Sequence, residues 1–99
     1  LKDRNIKAIL CTPAVVGEKT DYSNPLDGDL NLYSNIIRDI AKKNSLPLID
    51  LRKKYHDYLD KNNPDNKDRG ILTYDGVHMN DAGNQFLADA MWKALMDLI

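Results

Sequence analysis

Cysteine is almost missing from this 99-residue chain, where Cys11 stands alone. A lone cysteine excludes an intrachain disulfide framework and a zinc site built from several thiolates. Long apolar runs are missing too: none approaches the ~20 residues that a membrane-spanning helix needs, so no membrane span is expected. Neither charge is in excess, since 14 Lys and Arg meet 15 Asp and Glu for a net charge of −1. Without a basic face, sequence-independent attraction to phosphate backbones is weak, and no nucleic-acid partner is expected. No glycine-rich turn opens a helix after the first apolar run, so phosphate binding there is unsupported. Leu1-Lys2-Asp3-Arg4-Asn5 is charged, and the apolar stretch after it is too short for a signal peptide. The chain begins with Leu, a few residues before an expected interior strand, and reads as part of a longer polypeptide.

What is present suits one small folded domain spanning 1–99. Hydrophobic residues make up 42% of the chain, enough to offset the entropy lost on ordering. Residues 6–11 form a short apolar run closed by Thr12-Pro13, which reads as a buried strand. Residues 17–29 hold Gly17, Pro25 and Gly28 among Asp, Ser and Asn, which is loop chemistry; Asp27 or Asp29 is the expected helix cap. A helix over about 30–43 follows, with Leu30, Tyr33, Ile37, Ile40 and Ala41 on one face. Residues 46–51 are a second strand. Strand, helix, strand over this distance predicts a βαβ unit with a parallel sheet. A shorter helix with Leu51, Tyr55, Tyr58 and Leu59 inward comes next, then a solvated stretch over 60–70. The last helix carries an apolar stripe through Ala82, Phe86, Leu87, Ala90, Met91, Ala94, Leu95 and Leu98, with Asn80 as its cap. Two short strands leave unpaired edges and too little sheet for three amphipathic helices. Either more polypeptide completes this fold, or the chain pairs with itself.

The chemistry concentrates at Asp75-Gly76-Val77-His78. A carboxylate three residues before a histidine can hold one ring nitrogen, and the other is then free to take a proton from a hydroxyl nucleophile. The bland alternative is that Asp75-Gly76 is a turn and His78 an ordinary pre-helix residue. Elsewhere the candidates are weaker. Cys11 reads as a small hydrophobe ending a strand rather than a nucleophile. His56, among Lys53, Lys54 and Asp57, reads as a solvated helix residue. Met91 and Trp92 read as packing residues, and the Asp75–His78 loop shows too few ligands for a metal.

Thr73-Tyr74-Asp75-Gly76-Val77-His78-Met79-Asn80-Asp81-Ala82-Gly83-Asn84 resembles the last motif block of the SGNH hydrolases, the GDSL-like esterases and lipases. There the pattern is roughly Asp-Gly-(Val/Ile)-His-(Leu/Met)-Asn-x-x-Gly before a C-terminal helix. The order upstream is similar as well, from the strand ending at Thr12-Pro13 to the strand ending at Asp50-Leu51. The resemblance covers essentially all 99 residues but only about the C-terminal half of a family domain. It implies the C-terminal part of a flavodoxin-like three-layer α/β/α fold, incomplete in this chain. It also implies catalytic roles for His78, as general base, and Asp75, as its orienting partner, in a serine esterase acting on acetyl or other short acyl esters, with no cofactor and no metal.

The departure is as informative as the match. Ser23, Ser34 and Ser45 are the only serines, and none follows Gly-Asp as the family nucleophile does. The Gly-x-Asn-Asp block is missing too. The serine is therefore expected outside this chain, on the remainder of the hydrolase domain. The rival expectation is an inactive truncated fragment that acts as a self-associating or interaction module.

Overall fold

The computed structural model describes residues 2–98; Leu1 and Ile99, the ends of the span read as one domain, lie outside the described residues. Two strands, β1 (Leu10–Cys11) and β2 (Leu48–Ile49), pair in parallel with Leu10 opposite Leu48 and Cys11 opposite Ile49. The pairing is shorter than the apolar runs that contain it. Amides of Leu10 and Thr12 donate to the Pro47 and Ile49 carbonyls at 3.0 and 3.1 Å, and Pro13, with no amide to give, ends the ladder. Helix α1 (Asp27–Lys43) connects the strands, α2 (Leu51–Asn62) follows β2, and α3 (Asp81–Leu98) follows a long loop. A 3₁₀ turn at Lys2–Arg4 precedes β1. The class is α/β, with the parallel connection that the sequence pattern implies.

Helix α1 begins about three residues earlier than expected and has no side-chain cap. Leu26 takes the cap position in the left-handed region, at φ 66°. Asp27 is buried and committed elsewhere, because α2 brings Arg52 against it. Only 1% of Arg52 is exposed, so every guanidinium donor needs an acceptor. Nη2 donates to Asp27 Oδ2, Nη1 to the Ala14 carbonyl and Nε to Asn31 Oδ1, all at 2.7 Å. One side chain thus joins the loop after β1, the first turns of α1, and α2. Beside it, Asp50 caps α2 by accepting from the Lys53 amide, takes the Thr12 hydroxyl at 2.8 Å, and receives Arg38 through two bonds of 2.8 Å. The Arg38 bonds are the main reason that its carboxyl titrates at about 2 rather than 3.8.

The core forms where α2 and α3 meet the loops. Val15, Tyr55, Leu59 and Leu72 are its buried centre, with Met79 and Phe86 packed against them. Tyr55 meets the Phe86 ring edge-on at 5.0 Å, and Tyr58 meets it tilted at 4.8 Å. The inward face expected for α2 is therefore the one observed.

Other expectations change. Tyr33 and Ile40 on α1, and Leu95 and Leu98 on α3, are exposed, and Trp92 is 68% exposed rather than packed. Two residues per strand give these helices too little sheet to cover. Cys11 is exposed, not buried. Within 60–70, Asn63 is buried, and its Nδ2 donates to the Glu18 and Lys67 carbonyls at 2.7 and 2.9 Å. The radius of gyration, 14.6 Å, exceeds the ~13 Å of a compact chain this long, in keeping with the uncovered faces. Among the described residues, no helix is long and apolar enough to cross a membrane.

Two predictions follow from these ion pairs. Asp27→Ala strands the Arg52 guanidinium without its charge partner and is expected to cost about 3–5 kcal/mol in urea unfolding. A loss below about 1 kcal/mol would mean that Arg52 reaches water once released. Because the folded-state pKa of Asp50 is depressed, its contribution is present above pH 3.8 and is lost as pH falls toward about 2. Asp50→Asn should remove at most about 2 kcal/mol of that acid dependence. Superimposable acid-unfolding curves for the two proteins would contradict this.

Candidate active site

The loop between α2 and α3 turns back on itself. Thr73 bridges Met79 in antiparallel fashion, the Tyr74 amide donates to the His78 carbonyl at 2.9 Å, and the Asn80 amide donates to the Leu72 carbonyl at 3.0 Å. Leu72 and Met79 anchor both arms in the core, and the Tyr55 hydroxyl lies 3.0 Å from the Met79 sulfur. Asn80 caps α3 as expected, its Oδ1 accepting from the Gly83 amide at 2.8 Å. Gly83 is there because α3 starts hard against the loop: a Cβ would sit 1.9 Å from the Leu72 carbonyl oxygen.

Asp75 and His78 occupy the tip. Asp75 Oδ1 accepts from the Val77 and His78 amides at 2.9 and 2.8 Å, and Oδ2 lies 2.7 Å from His78 Nδ1. The carboxylate therefore closes its own turn before it meets the imidazole. Gly76 stands between them at φ 95°, a conformation that costs a residue with a Cβ. The His78 amide first, then its ring and the Val77 amide, hold the Asp75 carboxyl well below the usual carboxylate range. Since an ionised carboxylate only accepts, a neutral His78 carries its proton on Nδ1 and presents Nε2 as an acceptor. Both side chains are open to solvent, His78 at 78% and Asp75 at 48%.

The loop after β1 lies against this turn. The Gly17 amide donates to the Gly76 carbonyl at 2.7 Å. Next to it, Glu18 is fully buried and accepts from the amides of Ile71 and Leu72 and from the Thr73 hydroxyl. Sequence reasoning missed Glu18 altogether, because a carboxylate in a loop rich in Asp, Ser and Asn carries no linear sign of burial. A depression of about 460 Å³ opens between the two loops, with Gly17, Asn24 and Leu26 on one side and Arg69, Asp75 and Val77 on the other.

The remaining candidates lie apart from this arrangement. His56 is half-buried, not solvated; burial first, then Arg52, pushes its imidazole pKa down. It lines a cavity of about 20 Å³, room for a single water. Ser23 donates to Asp21, Ser45 follows α1 at φ 52°, and the Ser34 hydroxyl is buried with no partner. Among the described residues, no three His, Cys, Asp or Glu side chains gather as a metal site would require.

The chain is thus a parallel α/β unit with an Asp–His pair in the loop before its last helix. The model of the GDSL-like lipase/acylhydrolase family matches residues 1–91, and the chain belongs to that family. The crystal structure of an acetyl xylan esterase, AlAXEase, is similar at 63% identity and a TM-score of 0.91, over 95% of this chain and 48% of that one. LAE5, an α/β hydrolase enzyme from the metagenome of Lake Arreo, Spain, is similar at 25% identity and a TM-score of 0.68, over 89% of this chain and 37% of its own. The chain thus spans at most about half the length of these two structures. No curated protein matches it.

Gly83→Ala tests how closely α3 is seated. Helix propensity alone favours alanine by about 1 kcal/mol, whereas the clash with the Leu72 carbonyl oxygen should reverse the sign and cost about 2 kcal/mol net. Thermal unfolding distinguishes these, and a stabilised variant would show that α3 is free to move away from the loop.

Proposed function

We propose that this chain supplies the histidine and aspartate of a serine esterase, His78 as general base and Asp75 as its orienting partner. The nucleophilic serine then lies on polypeptide outside the chain, and residues 1–99 form the C-terminal portion of a single hydrolase domain. The observation that carries the reading is the 2.7 Å contact between His78 Nδ1 and Asp75 Oδ2, which leaves Nε2 to face a hydroxyl. Ser23, Ser34 and Ser45 do not suit the role: one is tied to Asp21, one is buried, and one ends a helix. The coverage of AlAXEase and the uncovered apolar faces of α1 and α3 support a larger domain.

In the cycle, His78 takes the serine proton as the hydroxyl attacks the ester carbonyl, then gives that proton to the departing alcohol. It next removes a proton from water, which releases the carboxylic acid and restores the serine. Asp75 fixes the tautomer and stabilises the imidazolium formed in each half. The ester class favoured is an acetyl or other short acyl group on a larger molecule. Similarity to an acetyl xylan esterase points toward acetylated polysaccharide. A second reading, a self-associating module without activity, draws on the same exposed faces, which another copy of the chain could cover.

In the full-length polypeptide, His78→Ala or Asp75→Asn should lower kcat on acetylated xylan by about 10⁴-fold. Asp75 stays ionised through the ordinary carboxylate range, so Asp75→Asn should change the height of the pH–rate profile without removing a carboxylate step from its acid limb. Retention of full activity by His78→Ala would sink the assignment. A fluorophosphonate probe should label a serine outside residues 1–99, and labelling of the pure 99-residue chain with sustained turnover would place the nucleophile within it.

A further inference from the structure

We propose that Glu18 is the positioning residue of the Asp75–His78 pair, a buried carboxylate that sets the turn carrying both side chains; this rests on the catalytic reading of that pair.

The geometry forms a continuous relay. Glu18 Oε2 accepts from the Ile71 amide at 3.1 Å and from the Thr73 hydroxyl at 2.8 Å, while Oε1 accepts from the Leu72 amide. Thr73 Oγ1, having given its proton to Glu18, accepts from the Gly76 amide at 2.9 Å. The hydroxyl therefore has a fixed direction, because a carboxylate only accepts and an amide only donates. Gly76 is the residue between Asp75 and Val77, and its carbonyl takes the Gly17 amide. The turn is held on both of its polar sides by consecutive residues of one loop.

Burial gives this relay its weight. Glu18 and Thr73 are fully enclosed, and a buried carboxylate demands that its donors stay in place. Asp75 and His78 are exposed, where water competes with their hydrogen bond, so the side-chain contact alone is a weak restraint. The buried relay adds a second restraint from behind, beyond the turn that Asp75 closes on the Val77 and His78 amides. Glu18 touches neither the imidazole nor the depression beside Asp75, and its effect on chemistry passes through the backbone of residues 73–76.

The test uses Glu18→Gln and Thr73→Val in the full-length polypeptide. Gln keeps the size but turns an amide N–H₂ toward a donor, and Val keeps the shape while breaking only the link from Glu18 to Gly76. The primary readout is the His78 ring by nitrogen NMR, together with amide exchange at Gly76, Val77 and His78. The expected result is a loss of the Nδ1–H tautomer and faster exchange at these three amides, with exchange in α2 unchanged. Thr73→Ser, which retains the hydroxyl, should restore both signals. On esters, kcat should fall roughly 10–100-fold with KM little changed. If Glu18→Gln does not fold, Thr73→Val decides. A wild-type ring tautomer and wild-type amide exchange in Thr73→Val overturn the inference whatever the activity. A changed tautomer with an unchanged rate upholds the positioning role and instead refutes the catalytic reading of the pair.

Discussion

Arg52 is the side chain on which the arrangement of this chain depends most. Two strands of two residues each cannot hold loops in place through backbone pairing alone. The guanidinium does so instead, by collecting Ala14, Asp27 and Asn31 around one buried cation, while the Arg52 amide donates to Thr12 Oγ1 at 3.0 Å. Desolvating this charge is costly, and the ion pair with Asp27 need not exceed that cost in isolation. Its structural value lies in exclusion. Any arrangement that separates the loop after β1 from the first turn of α1 leaves a buried cation without acceptors, so one arrangement is selected strongly.

The same logic, with the charge reversed, operates at Glu18. Between them the two buried side chains pin the loop after β1 at two points: Arg52 takes it at Ala14, and Glu18 ties it to residues 71–73. Core packing supports the second junction, because Leu72 and Met79 flank the turn and rest on Tyr55. The loop that reads in sequence as a flexible connection is thus polar but internally satisfied. It transmits the position of α2 to the tip that carries Asp75 and His78.

Legibility in the sequence follows the range of the interaction. The Asp75–His78 contact spans three residues, and Asn80 caps the helix that starts immediately after it; such local geometry shows in spacing and in a motif. The inward face of α2 shows through its period. Glu18 and Asp27 were not legible, since their partners lie 53–55 and 25 residues away and nothing local distinguishes a buried carboxylate from a solvated one. Asp27 reads as a helix cap for sound local reasons, and a tertiary cation overrides them. Tyr33, Ile40 and Leu95 were misread in the opposite sense. Their periodicity announces an apolar face, but periodicity cannot say whether the surface that covers the face belongs to the same 99 residues.

That uncovered surface also bears on the chemistry proposed for His78. An imidazole at 78% exposure shares its field with bulk water, where a neighbouring charge acts roughly fourfold more weakly than under the effective dielectric near a protein surface. Pre-positioning by Glu18 and Gly76 sets the direction of the Nδ1–Oδ2 contact but does nothing to dry it. Stabilisation of an imidazolium by Asp75 therefore grows only when something displaces water from the tip. The depression beside Asp75 and Val77 is where a bound ester would do so. On the proposed reading, orientation is built into this chain, whereas the dry surroundings that make orientation effective come from its substrate and from the rest of the domain.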